Sequence, residues 1–258
     1  MTSDKRAGHR SEMDGIVMKS GTRVVVAAAV AATLGLLTGC GGDSDDAKGK
    51  GGGVKDERTA AAAPLSAAQL EKAAVTKADV KGFEIEKMSE KEFSDGGSAK
   101  AEKAACQPIA QLMGSSFDPA PKASVYRTYA QSKGGKLGGS GLIRLSTYGG
   151  GDAERTVKDL RGAVSACQGG FAAKDGSGKK SDVAKVTPQA DPGLGDESLS
   201  FSLLDASKDK AVVKFAVVRA GSQLSVFFGV NLMDASKSDV PAELLKAQTT
   251  KLEKANAS

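Results

Sequence analysis

Residues 198–232 read SLSFSLLDASKDKAVVKFAVVRAGSQLSVFFGVNL. Three runs in this stretch alternate apolar and polar side chains, the period-two pattern of a β-strand whose faces meet different surroundings. Leu199, Phe201 and Leu203 interleave with Ser198, Ser200 and Ser202. Val213, Phe215 and Val217 follow, and then Leu224, Val226, Phe228, Val230 and Leu232, set against Gln223, Ser225, Phe227, Gly229 and Asn231. One greasy face and one serine-rich face predict an antiparallel meander covered on one side only.

Upstream segments extend the sheet. Phe83–Met88 alternates, with Phe83 and Ile85 on one face, and Gly82 marks the turn before it. Ala123 to Ala130 and Gly141 to Tyr148 read as a hairpin joined by the glycine-rich SKGGKLGGS. Helices are announced by their ends. Ser66 is an N-cap with Gln69 completing a capping box, and Leu65 staples to Leu70. A polar connection from Ser89 to Lys100 leads to a short helix around Pro108, Ile109, Leu112 and Met113, stopped by Gly114. Asp152 caps the clearest helix, whose stripe is Ala153, Val157, Leu160, Val164 and Cys167. A last helix from about Val240 to Lys254 carries Leu244, Leu245 and Leu252. The expectation is one α+β domain over 65–258, an antiparallel sheet of about five to six strands with helices packed on one face.

The N-terminus reads as an address. Residues 24–37, VVVAAAVAATLGLL, carry no charge and follow Lys19 and Arg23. A basic region, a short apolar run and small residues after it make a secretory signal peptide, and the run falls short of the twenty or so apolar residues a bilayer helix needs. Leu37-Thr38-Gly39-Cys40 completes a lipobox, in which the Gly39–Cys40 bond is cleaved and the Cys40 thiol receives a diacylglyceryl group. With two or more acyl chains of the palmitate kind, such a cysteine meets the two-signal requirement for stable anchoring. Met18 offers a more compact leader than Met1 or Met13. Residues 1–39 are therefore expected to be a lipoprotein signal peptide. Residues 40–64, rich in Gly, Ala and charge, are expected to be a disordered tether spanning roughly 25–30 Å.

Removing Cys40 leaves Cys106 and Cys167, 61 positions apart. In an oxidising compartment they read as a disulfide, and no CxxC spacing or flanking basic cluster points to a redox pair.

Composition excludes much chemistry. The 258 residues hold 36 Lys and Arg, 31 Asp and Glu, and one histidine, His9, which lies in the leader. The leader also holds five of the bases and three of the acids, so the net +5 is not a property of the domain, and no nucleic-acid partner is expected. Without imidazole there is no Ser–His–Asp or Cys–His machine, and two cysteines cannot complete a zinc site. No cofactor is expected: no phosphate-loop motif is present, and in YGGGD (148–152) Asp152 would repel a phosphate. Asp196-Glu197 is the best acidic doublet, but neighbours on a strand point to opposite faces and cannot straddle a substrate. With 4% aromatic residues and no Trp, sugar-stacking platforms reduce to Phe227, Tyr126 and Tyr148 as exposed-ring candidates.

Taken in order, the lipobox, the polar tether, LSAAQLEKA, Asp79-Val80-Lys81-Gly82-Phe83, Cys106, Cys167, Gly195-Asp196-Glu197 and VVKFAVVRAGSQLSVFFGV carry a likeness. The chain resembles small secreted lipoproteins of high-GC Gram-positive bacteria. More loosely, it is similar to the extracellular sensor domain of bacterial Ser/Thr kinases. The resemblance implies an antiparallel sheet with packed helices, an extracytoplasmic place and a non-enzymatic binding or sensing role; it transfers no site residues. The expected function is a lipid-anchored lipoprotein at the outer face of the cell membrane that binds an envelope ligand or protein. The alternatives are a structural accessory acting through protein contacts and a carrier of a hydrophobic ligand.

Overall fold

Alternation in the sequence becomes a sheet in a computed structural model that describes residues 64–95, 97–133, 136–231 and 233–258. The expectations at Gly39 and Cys40, the leader 1–39 and the tether up to residue 63 lie outside the described residues. Nine strands are present among those described: β1 (Phe83–Met88), β2 (Lys100–Ala101), β3 (Ala123–Lys133), β4 (Lys136–Thr147), β5 (Ala173–Lys174), β6 (Val183–Pro188), β7 (Glu197–Asp205), β8 (Val212–Ala220) and β9 (Gln223–Val230). Seven form one sheet in the order β1-β3-β4-β9-β8-β7-β6, while β2 and β5 pair separately. Every neighbouring pair in the large sheet is antiparallel. The sheet thus has seven strands rather than five to six. The additional strand, β6, sits at an edge with only Val183 and Val186 buried, too sparse a pattern to announce itself.

Five α-helices among the described residues accompany the sheet: α1 (Ala67–Ala73), α2 (Glu90–Ser94), α3 (Gln107–Leu112), α4 (Asp152–Ala166) and α5 (Ala242–Asn256). In α1, Ser66 and Gln69 form the capping box and Leu65 and Leu70 are both buried. The helix α2 stands inside the stretch read as a plain polar connection. Its signal is a second capping box, Ser89 with Glu92. The N-cap of α4 is Gly151 in a left-handed conformation, not Asp152, whose carboxylate instead accepts from Arg155 at 2.8 Å. Only a residue without Cβ takes that backbone shape cheaply. All five residues of the α4 stripe are buried.

The principal correction concerns coverage, because helices pack on both faces of the sheet. One core joins α3 and α4 to Leu199, Phe201, Phe215, Val217, Leu224 and Val226. The other joins α1 and α5 to Phe83, Ile85, Tyr129, Ile143, Val218 and Phe227. The face read as polar is a face of small residues. Ala216, Ala220 and Ser225 are buried there, and their low profile lets two helices approach while Phe227 fills the space between. Thus α5 covers the side opposite to the greasy one. Its Gln248 is fully buried, donating to the Ala73 carbonyl and accepting from the Val75 amide, each at 2.9 Å, which ties α5 to the end of α1.

Cys106 and Cys167 are joined, with S–S 1.99 Å and Cα–Cα 5.9 Å, linking the start of α3 to the end of α4. Gly141 illustrates how closely the central strands lie: a Cβ there would run into the Phe228 carbonyl and the ring of Tyr129. No helix among the described residues is long and apolar enough to cross a membrane.

Candidate ligand groove

The residues singled out for chemistry are placed in structural roles. Asp196 precedes β7 rather than lying in it, so the opposite-face rule does not separate it from Glu197. Both carboxylates grip one guanidinium: Arg219 reaches Glu197 at 2.7 Å and Asp196 at 3.2 Å, and the Gly221 amide donates to Asp196 at 2.7 Å. The doublet therefore fastens the β8–β9 turn to the start of β7.

The three ring candidates are not exposed. Phe227 is fully buried beneath α1 and α5, and Tyr148 is 1% exposed. Tyr126, buried, stacks on Phe93 of α2 at 4.3 Å between centroids. Second-layer helices, invisible to strand periodicity, account for all three.

Several other charges at least partly withdrawn from water are paired. Arg127 donates to Glu71 at 2.7 Å, and Lys87 approaches the same carboxylate at 3.2 Å. Partial burial alone would raise the Glu71 carboxyl, but these two cations carry it below its ordinary value. Asp191 shows the same balance, with burial opposed by hydrogen bonds from Ser198 and the Gly193 amide. Ser198 has no imidazole beside it, since the sole histidine is His9, and its hydroxyl is spent on Asp191. Among the described residues no three His, Cys, Asp or Glu side chains gather in a way that could hold a metal ion.

An apolar groove lies on the α3–α4 side of the sheet. Phe201, Phe215, Phe228 and Leu142 form one cross-strand row over β7, β8, β9 and β4. Phe201 stacks on Phe215 at 5.3 Å, and Phe215 meets Phe228 edge-on at 5.5 Å. Phe201 and Phe215 are buried, but Phe228 and Leu142 are only half-buried. A groove of about 240 Å³ opens there. Its floor is Leu203, Val213, Phe215 and Phe228; Met113 and Val183 wall it, and Asp182 and Asp205 stand at its rim. Alternation in the sequence places Leu203, Val213, Phe215 and Phe228 on a greasy face but does not show that part of that face stays open.

A second feature lies nearer the middle of the same face. Arg144 of β4 is 2% exposed, and none of its three guanidinium nitrogens has a hydrogen-bond partner. It lies 3.3 Å from the centre of the Phe117 ring.

No family model matches the chain, and no curated protein matches it in sequence. Among solved structures it is similar to the extracellular domain of PknH from Mycobacterium tuberculosis. That match has 9% identity and a TM-score of 0.51, covering 76% of this chain and 100% of that one. A putative uncharacterized protein from Mycobacterium smegmatis, the Rv0999 ortholog, matches at 15% identity and a TM-score of 0.36, covering 74% of this chain and 93% of that one. The first likeness is one of fold.

Proposed function

We propose that the chain is a lipid-anchored extracytoplasmic protein that binds a ligand without chemically changing it. The observation that carries this reading is the groove. A groove lined by Leu203, Val213, Phe215 and Phe228 is what an apolar ligand portion needs, and Asp182 and Asp205 beside it, which already accept from Ala173 and Ser207, add a polar margin. Among the described residues that line it, no hydrogen bond pairs a nucleophile with a base. The fold shared with an extracellular domain supports an extracytoplasmic setting. The lipobox at Leu37–Cys40 supports mooring through the Cys40 sulfur, with residues 40–64 as the spacer and 65–258 as the working domain.

The ligand class favoured by the groove is an amphiphile, with an acyl or other apolar segment over Phe215 and Phe228. The test is native mass spectrometry of the full chain titrated with envelope lipid extracts, comparing the wild type with Val213→Glu. Val213 is half-buried at the groove, so the substitution can place a charge in the ligand's path while the core stays intact. Retention of a lipid adduct by the wild type and its loss in Val213→Glu is the expected result. Equal binding by both chains, or release of a chemically altered lipid, contradicts the reading.

A further inference from the structure

A second groove, of about 350 Å³, lies on the other side of the sheet, between α1 and the C-terminal end of α5. Gln69, Lys72 and Ala73 line it from α1, and Lys251, Lys254 and Ala255 from α5. The charged side chains on it have one sign, for among the described residues that line it there is no Asp or Glu. Lys251 is held by Asp79 at 2.8 Å. Lys72 and Lys254 are exposed, and among the described residues neither has an ion pair. Of the acids next to them in the chain, Glu71 is turned to Arg127 and Lys87, and Glu253 stands outside the lining. Ala73 and Ala255 give the groove an apolar surface, along which lysine stems can lie while their ammonium groups stay in water.

The groove also lies where the chain enters the domain. Pro64 is exposed, and Gln69, which closes the capping box on Ser66, is itself part of the lining. Three residues of helix separate Ser66 from Gln69, about 5 Å along the axis. A domain tethered through residues 40–64 therefore carries this groove within one helical turn of its attachment point.

We propose that the α1–α5 groove docks on anionic phospholipid headgroups of the membrane that anchors the chain, with phosphates at Lys72 and Lys254 and the glycerol region over Ala73 and Ala255. This rests on the reading of the chain as lipid-anchored and is independent of the apolar groove on the other face. Each lysine at an anionic surface is worth about a fivefold gain in binding. Two or three of them are too few to hold a free protein, but they suffice for a domain that a short tether keeps at high local concentration.

The experiment takes the full mature chain, reconstituted into vesicles of phosphatidylcholine alone or mixed with phosphatidylglycerol, and follows lysine acetylation by mass spectrometry after flotation. Lys72 and Lys254 should label about fivefold more slowly in the mixed vesicles than in phosphatidylcholine. High salt should remove the difference. Lys158, exposed on α4 across the sheet, should label alike in both. In Lys72→Glu/Lys254→Glu the remaining lysine of the groove, Lys251, should also label alike in both. A chain that floats with both kinds of vesicle but labels alike at Lys72 and Lys254 overturns the docking alone. Slowing that extends equally to Lys158, or that persists in detergent micelles without lipid as a contact with a second copy would, overturns it too. A chain that floats with neither contradicts the anchoring and the docking together.

Discussion

Glu71 sits between Arg127 and Lys87, and its carboxyl is held below its ordinary value although burial opposes this. A carboxyl whose folded-state pKa is depressed stabilises the fold above its unfolded value. That contribution fades as pH falls through the folded value. Glu71→Gln should therefore unfold at lower denaturant than the wild type at pH 7, with the difference shrinking as pH drops below the usual carboxylate range. Urea titrations at pH 7 and pH 3 read this directly, and a gap that stays constant with pH contradicts the pairing. At this scale some signals were legible and others were not. Ser66 with Gln69 declared a helix start, and the equivalent Ser89 with Glu92 was equally visible but lay in a stretch too polar to suggest an element. Arg144 had no such signal. In GLIRLSTY it alternates with Ile143 and Leu145 like any solvent-facing arginine, and only tertiary packing, with the Phe117 ring laid over it, buries it.

At the scale of elements, the meander of β7, β8 and β9 is where periodicity worked and where it misled. Leu199, Phe201, Phe215, Val217, Leu224 and Val226 share a core as the alternation required. The opposite side, read as serine-rich and solvated, is buried under α1 and α5. Period two reports that two faces differ; it does not report that the smaller face is wet. Small side chains can equally mean a helix lying close above. Phe227 distinguishes the two readings by energy. A fully buried phenylalanine cut to alanine costs about 3–5 kcal/mol, whereas the same change on an exposed face stays within about 0.5 kcal/mol. Equilibrium unfolding of Phe227→Ala should give the larger loss; the smaller one would mean that α5 does not cover this face. The edge strand β6 and the small β2–β5 pair escaped notice for a simpler reason, since their few buried positions are too sparse to set up a period.

The described residues combine a core on both faces of the sheet, stapled by Cys106–Cys167, with a groove over Phe215 and Phe228. The α+β class and the position of every major strand but one followed from residue order. The location of the groove did not, because it joins residues of β7, β8 and β9 to Met113 and Val183, far apart in the chain, through tertiary packing. Binding to this groove gains its proposed setting from the lipobox: a domain moored by acyl chains works at the membrane surface, where amphiphiles are concentrated. The claim rests on one sulfur. Intact-mass analysis of the chain recovered from its native membrane tests it most directly. The account predicts a mature chain beginning at Cys40 and heavier than its sequence by a diacylglyceryl group. A chain that still carries residues 1–39, or begins at Cys40 with an unmodified thiol, contradicts it.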